Sequence, residues 1–308
     1  MSLLIVGTVA FDKIETPAGK TDAILGGAAT YIGIASSYLY KKTNIISVVG
    51  EDFPTQYMKL LEEHQINTQG IKKVNGGKTF SWEGKYHTNM NQRDTISTEL
   101  NVLAEFEPVV PNNYQDCDFL MLGNLDPSLQ TKVLDQLKKR PKLVVMDTMN
   151  FWMDLMWDKL LETIKRVDVL SINDQEARQL SGEHSLVLAA RKILTMGPRF
   201  LIIKKGEHGA LLFDQSENCF FAPALPLETV FDPTGAGDTF AGGFIGHLAR
   251  TNDLSFENMK RAILYGSVMA SLSVEKFGTD NIAYLSSEEI NKRIERFQKL
   301  IHSNLSVL

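Results

Sequence analysis

Short runs of apolar, often β-branched residues recur along the chain between stretches of helical character, and this alternation restricts the fold more than any other feature. The runs are Leu3–Val9, Asn44–Gly50, Asp118–Gly123, Leu143–Asp147, Val167–Asn173 and Phe200–Gly206. Helices are expected at Ala28–Tyr40, Thr55–His64, Pro127–Lys139 and Met153–Lys165, and again over Gly235–Ala270 and Ser286–His302. Strands alternating with helices predict right-handed βαβ units, hence a largely parallel sheet with helices on both faces. Ligands of such sheets lie beyond the carboxyl ends of the strands. With 308 residues, 44% of them hydrophobic, the chain can bury the core of one large α/β domain carrying a smaller appendage.

One stretch breaks the rhythm. From Lys78 to His87, Phe80, Trp82 and Tyr86 fall on one side of a period-2 pattern, and Thr79, Ser81, Glu83, Lys85 and His87 on the other. That is a half-covered strand. Asp12–Ala23 is short, polar and turn-rich, with Pro17 and Gly19, and can pair with it as a small second sheet. We therefore divide the chain into a main domain, residues 1–12, 26–74 and 105–308, and a small β lid, residues 13–25 and 75–104. The plainer alternative is an ordinary surface hairpin.

Composition narrows the function. The net charge is −5, with 32 basic and 37 acidic residues interspersed, so no basic footprint offers itself to a phosphate backbone and nucleic acid is not an expected partner. Cys117 and Cys219 lie outside any CxxC spacing, which predicts neither a disulfide framework nor a structural zinc and fits a reducing cytoplasm. The opening run Leu3–Val6 lacks a basic flank and is too short for a signal or membrane segment, so no membrane association is expected. The six histidines, among them His64, His208 and His247, show no HExxH spacing.

The segment from Asp232 to Phe244, Asp-Pro-Thr-Gly-Ala-Gly-Asp-Thr-Phe-Ala-Gly-Gly-Phe, carries the strongest local signal. Gly235 and Gly237 flank Ala236 just before a small-residue helix, so backbone N–H groups at the helix start can face a ligand unobstructed. An acidic residue in a first helical turn is ordinarily a capping or dipole device. Behind an anion cradle, however, the Asp238 carboxylate would repel phosphate unless it were needed to take a proton from an attacking hydroxyl.

This segment resembles the C-terminal signature of the PfkB, or ribokinase, family of carbohydrate and nucleoside kinases, Asp-x-x-Gly-Ala-Gly-Asp followed by Thr-Phe-x-x-Gly. The resemblance extends over essentially the whole chain and implies a ribokinase-like three-layer α/β fold with a mostly parallel central sheet and a small β lid. It implies an enzyme that moves the γ-phosphoryl group of ATP, with Mg²⁺, onto a hydroxyl of a sugar or nucleoside. Asp238 inherits the role of catalytic base, and Gly235, Ala236 and Gly237 that of stabilising the transferring group. Asp12 and the pair Gly26-Gly27 are similar to the family's substrate-side elements. Asn173-Asp174-Gln175-Glu176 matches its Asn-x-x-Glu, which places Asn173 and Glu176 near magnesium, through water, although such a pair alone is also a capping arrangement. Lys205, Gly206 and Gly209 fall where the family has a glycine turn beside the nucleotide, and Asp232 joins that ATP-binding set. A monovalent cation such as K⁺ is a family habit near Asp232 and Phe277-Gly278-Thr279, and so is dimerisation through the lid.

One departure bears on the acceptor. Many sugar kinases carry an Asn shortly after the Gly-Gly pair, where this chain has Ala28-Ala29-Thr30-Tyr31. Tyr31, Phe11, Phe80, Trp82 and Tyr86 offer stacking surfaces that favour a nucleoside. The alternative is that they bury the lid, which leaves a sugar or sugar phosphate. Rival readings fit worse. Gly19-Lys20-Thr21 and Gly77-Lys78-Thr79 lack the earlier glycine of a P-loop, having Ile14 and Lys72 there. Gly235-x-Gly237 continues to Phe240 where a dinucleotide fingerprint needs glycine. A non-catalytic sensor of sugars or nucleotides would predict damage at the base or cradle, and Asp238, Gly235, Gly237, Asn173 and Glu176 are all present.

Overall fold

All six apolar runs become strands of one sheet in the computed structural model, which describes residues 1–301. They form β1 (Leu3–Val6), β5 (Thr43–Gly50), β9 (Phe119–Leu122), β10 (Leu143–Asp147), β11 (Val169–Asn173) and β12 (Phe200–Lys204). Three more strands complete it: β6 (Ile66–Val74), β13 (Ala210–Asp214) and β14 (Cys219–Ala222). The order of the nine is β14, β13, β12, β11, β10, β9, β1, β5, β6. From β12 to β6 every pairing is parallel, and β13 and β14 extend the other edge as an antiparallel pair.

The parallel strands read as unbroken apolar runs because both of their faces are covered. Leu3 and Ile5 enter one core with residues of α1 (Ala28–Ser37), α2 (Thr55–Glu63), α8 (Ala236–Thr251), α9 (Phe256–Ser273) and α10 (Ser287–Ile301). Leu4 and Val6 enter a second core with α3 (Pro127–Asp135), α4 (Asn150–Leu155), α5 (Trp157–Ile164), α6 (Asp174–Ser181) and α7 (Leu186–Leu194). The result is the expected three-layer α/β sandwich. Helix α8 lies between α1 and α9 on its small residues: a Cβ on Gly242 would stand 2.6 Å from the Ile32 carbonyl oxygen, and one on Gly243 2.7 Å from that of Tyr265. Larger side chains there would push the helices apart.

The expected helix over Met153–Lys165 is two, because Met156 leaves helical geometry (φ −137°, ψ 37°) between α4 and α5. The expected helix over Gly235–Ala270 is also two. Asn252 ends α8 in the left-handed region (φ 52°), and the Ser255 hydroxyl restarts the chain by accepting from Asn258 N–H at 3.3 Å. Residue 302, the end of the last expected helix, lies outside the described residues.

A second sheet stands over the carboxyl edge. It contains β2 (Ala10–Thr16), β3 (Gly19–Lys20), β4 (Ile24–Gly26), β7 (Ser81–Tyr86) and β8 (Arg93–Glu99). Strands β2 and β7 pair in parallel with Asp12 opposite Trp82, and β7 and β8 antiparallel with Tyr86 opposite Arg93. Along β7 the face shared by Trp82, Gly84 and Tyr86 is turned inward, Tyr86 being buried. The outer face is charged, with Glu15 paired to Lys85 (2.5 Å) and Lys20 (3.6 Å). Tyr86 is thus buried on the inner face of the lid, with Phe80 and Trp82 half-buried beside it.

Candidate active site

Three neighbouring parallel strands end in polar residues: β10 in Asp147, β11 in Asn173 and β12 in Lys204. Lys204 Nζ pairs with Asp147 Oδ2 at 2.5 Å, and Thr148 N–H donates to Asp147 Oδ1 at 2.7 Å. Asn173 caps α6 in a reciprocal box: its Oδ1 accepts from Glu176 N–H (2.8 Å), and its N–H donates to Glu176 Oε2 (2.7 Å). The capping reading of that pair is the one observed, and the box holds the buried Glu176 carboxyl close to the Asp147–Lys204 pair.

Above these ends α8 begins. Gly235 takes the left-handed conformation (φ 71°), and a Cβ there would run into the ring of Tyr31. The Ala236 N–H already donates to Pro233 O at 3.2 Å, and Thr239 N–H donates to Gly235 O at 2.7 Å. The N–H groups of Gly235, Gly237 and Asp238 have no acceptor among the described residues, so these, and not the Ala236 N–H, stay open to a ligand. Lys204 Nζ would lie 3.3 Å from a Cβ on Gly237, which sets an ammonium beside these amides. Asp232, buried, fastens the loop by accepting from Thr234 N–H and Gly278 N–H, each at 2.8 Å.

Asp12 faces this cradle from the second sheet. Its carboxyl lies over Gly26, where any Cβ would overlap it, and the Gly27 backbone beside it favours the charged form. Gly27 (φ 91°) has no room for a side chain beside the Thr8 carbonyl. Tyr31 is 1% exposed, and its hydroxyl has no hydrogen-bond partner among the described residues while Asp12, Asp232 and Asp238 stand near it. Phe80 is half-buried just before β7, and Trp82 packs on Gly84. Phe11, in contrast, belongs to a cluster with Phe53 (centroids 5.8 Å apart) and Tyr57 in the main domain.

The charges explain why these groups are not at rest. Burial first, and then the charge of Asp147, push Asp238 up to about 7; Lys204 and Arg93 oppose this. Glu176 is likewise pushed to about 7 by burial and by Asp147. Asp12 reaches about 7 through burial, helped by Asp232 and Asp238. Burial works against the Lys204 ammonium, but Asp147 and Glu176 outweigh it and hold its pKa above the ordinary value. Carboxyl groups poised near neutrality in one cleft mark a functional site.

Sequence reasoning missed Asp147, Lys204 and Arg93. The turn Gly206–His208 follows β12, with Gly206 exposed and Gly209 buried (φ 85°), but the lysine beside the cradle is Lys204 and not Lys205. A period-2 reading of β12 cannot tell which of two adjacent lysines leaves the strand end on the ligand side. Arg93 comes from β8, whose sequence Arg-Asp-Thr-Ile-Ser-Thr-Glu is almost wholly exposed and gave no strand signal. The lid tip meets the same turn, Asn91 Nδ2 donating to Glu207 Oε1 at 3.0 Å, and Thr234 Oγ1 donates to the Tyr86 hydroxyl at 3.1 Å.

The chain is similar to known proteins over most of its length. The chain is 29% identical over 258 residues to a cytidine kinase of Thermococcus kodakarensis, covering 82% of this chain and 91% of that protein. It is 24% identical over 270 residues to an ATP-dependent 6-phosphofructokinase of Thermoanaerobacterium thermosaccharolyticum, covering 80% and 81%. The nucleoside kinase of Burkholderia thailandensis, solved with inosine, shares the fold with a TM-score of 0.79 at 19% identity, over 96% of this chain and 98% of that one. The profile of the pfkB family of carbohydrate kinases matches residues 8–284. With the cradle and carboxylates described above, this shows that the chain belongs to the pfkB family and is a phosphotransferase acting on a sugar or nucleoside hydroxyl.

Proposed function

We propose that this kinase uses ATP, that Asp238 is its general base and that its acceptor is a nucleoside. The observation that carries the proposal is a single local arrangement: a carboxyl with a pKa of about 7 on the first turn of α8, directly after two glycine N–H groups without an acceptor among the described residues. The acceptor lies between Asp12, which takes hydrogen bonds from its hydroxyls, and Asp238. Its reacting oxygen attacks the γ-phosphorus while its proton passes to the Asp238 carboxylate, and the bond to the β–γ bridging oxygen breaks with its electron pair leaving on ADP. Gly235 and Gly237 N–H groups receive the charge on the non-bridging oxygens, with Lys204 beside them. The second sheet acts as a lid whose contacts with the floor, Tyr86 to Thr234 and Asn91 to Glu207, exclude water around the bound acceptor.

The donor set suits Mg²⁺. Asn173, Glu176 and the neighbouring Asp147 offer oxygen donors in a site where the charge of Asp147 raises the pKa of Glu176 and Asp238, although no cluster of three or more potential metal-ligating side chains forms among the described residues. Held through water by Asn173 and Glu176, the ion supplies neutralisation of the nucleotide phosphates. Lys205, Gly206 and Gly209 line the nucleotide side, and the expected monovalent cation belongs beside Asp232 and Gly278.

The acceptor reading is supported by the cytidine and nucleoside kinases among the relatives and by the half-buried Trp82 opposite Asp12, whereas Tyr31, packed under Gly235, has no face left for a base. A homodimer through the lid would join charged outer faces. The cytoplasm is the setting we propose, since the exposed Cys219 would there stay a thiol. The test is ADP release from Mg-ATP over ribose, fructose, fructose 6-phosphate, adenosine, inosine, guanosine, cytidine and uridine, with and without K⁺. Turnover confined to nucleosides is expected. Turnover confined to sugars or sugar phosphates would make the aromatics packing residues and overturn the nucleoside assignment.

A further inference from the structure

The nine-stranded sheet has two outer edges, and they are built differently. At one, β6 carries Lys72 and Lys73, and its pairing with β5 shifts register between Asn44 and Ile46. Charge and irregularity of this kind keep an edge from pairing with another chain. At the other, β14 reads Cys-Phe-Phe-Ala, with neither charge nor proline inside the strand. Cys219 is exposed there, and Phe221 is 51% exposed.

The hydrogen-bond pattern tells which groups of β14 are free. In an antiparallel pair, residues that exchange bonds alternate with residues that do not. Asp214 N–H donates to Asn218 O at 3.2 Å, and the register then places Phe220 with Leu212 and Ala222 with Ala210 in the bonded pairs. The far side of β13 agrees: Lys205 N–H donates to Gly209 O at 2.8 Å, which leaves Leu211 and Phe213 to bond β12. The N–H and C=O groups of Cys219 and Phe221 therefore point out of the sheet, without a partner among the described residues. Two antiparallel copies of β14 about a two-fold axis satisfy all of them in one register, Cys219 opposite the partner's Phe221, with four N–H···O bonds. Phe221 opposite itself would set Cys219 against Pro223, which has no N–H. Cys219 opposite itself would set Phe221 against Glu217, which lies in the turn at φ 63°.

The side chains suit the same register. Cys219 and Phe213 line a groove of about 510 Å³ whose other wall is Val187, Ala190 and Leu194 of α7. Phe221 faces the same side of the sheet, because it pairs with Leu211, which packs on the α7 core. Residues directly opposite in a pair share a face, so each Phe221 ring would meet the partner's Cys219 at the mouth of this groove. Charges on both faces are already matched within the chain. Arg191 pairs with Glu217 at 3.4 Å beside the groove, and Lys260, 5.6 Å from the Phe220 ring centroid, pairs with Glu257 at 2.6 Å. These pairs bring no net charge to the axis.

We propose that this face joins two copies of the chain: β14 pairs with β14 of a second copy, the two sheets become one, and each Phe221 enters the partner's groove. The groove lies by the Asp214–Asn218 turn, at the opposite end of β13 from Gly209, so each copy keeps a whole cleft. Two rings burying about 150–250 Å² each on a four-residue strand make an interface below about 1,200 Å², the size of transient complexes. Association in the micromolar range is expected.

Sedimentation velocity of the full chain from about 1 to 100 µM is expected to pass from monomer to dimer. Phe221→Glu is expected to stay monomeric, with kcat within about twofold of wild type, whereas Lys85→Glu on the outer face of the lid should dimerise as wild type does. A wild-type monomer at every concentration, or a dimer that persists in Phe221→Glu, would overturn the proposal; dissociation by Lys85→Glu alone would overturn it in favour of the lid. Thiol labelling reads the contact without changing the chain. Cys117 is buried, so an aryl disulfide reagent reports Cys219. Its rate is expected to fall about tenfold as wild type is raised from about 1 to 100 µM, and to stay fast in Phe221→Ala. A wild-type rate that ignores concentration would overturn the proposal, and a slow one would put another segment of the chain over the edge.

Discussion

The floor of the cleft is held by buried groups fixed on one another, whereas the lid reaches it through half-exposed polar contacts. Asp232 is buried with both carboxylate oxygens accepting backbone N–H groups, and Lys204 pairs with Asp147 at 2.5 Å under nearly complete cover. Such groups have no water to fall back on, so removing one leaves its partner stranded. Strand β8 is almost wholly exposed, and Asn91 and Glu207 meet in open solvent. Contacts of that kind exchange readily with water. The contrast leaves buried, mutually paired charge on the floor and solvent-exposed charge on the lid.

The largest expected effect is on the floor. Asp238→Asn should lower kcat by about 10²–10⁴-fold while leaving acceptor affinity near wild type. Wild-type kcat/KM should fall as the pH drops below about 7, because a carboxyl raised that far is protonated there and cannot accept the proton. Asp12 shares that value, so the limb belongs to both groups. The sign for stability is opposite. A raised carboxyl stabilises the fold at low pH, and this contribution is lost as the pH climbs from its ordinary value through about 7. The Asn variant should therefore melt higher than wild type at pH 8, with the gap closing towards pH 4 as wild type regains what it lost. An acid limb near pH 4 would remove Asp238 from the role of a poised base.

A smaller but still large effect is expected at the cradle. Gly235→Ala combines a left-handed φ with a collision against Tyr31 and should lower turnover by about 10²-fold through displacement of the loop. Adding Tyr31→Ala should return part of it, and strict additivity would show that the two do not meet. The smallest effect is expected at the lid tip. Asn91→Ala should change stability by less than about 0.5 kcal/mol and nucleotide KM by less than about threefold. A tenfold change there would make the tip a fixed wall of the nucleotide site and erase the contrast between the two regions.

How much of this could be read before folding depended on how local the signal was. The parallel strands announced themselves because burial on both faces makes them continuous apolar runs, and Gly235, Gly237 and Asp238 stand in one short segment whose chemistry is carried by neighbours in sequence. The edge strand β6, Ile-Asn-Thr-Gln-Gly-Ile-Lys-Lys-Val, and β8 were silent because a strand facing water needs no apolar pattern. The aromatic alternation of β7 was legible, but not the direction it faced: the bend over the cleft turned Tyr86 onto Thr234 and left the charged face to solvent.

The sequence by itself therefore determined the layered α/β scaffold and brought together the segment we propose as cradle and base, since each follows from periodicity or from residues side by side. Only the tertiary structure decided which lysine reaches the cradle, that Asp147 holds it, and that Arg93 comes down from the lid. Asp147 and Lys204 are far apart in sequence and meet only because β10 and β12 flank β11 in the sheet. Charge acts through space, and no pattern along the chain records which distant carboxylate will raise or lower a given pKa.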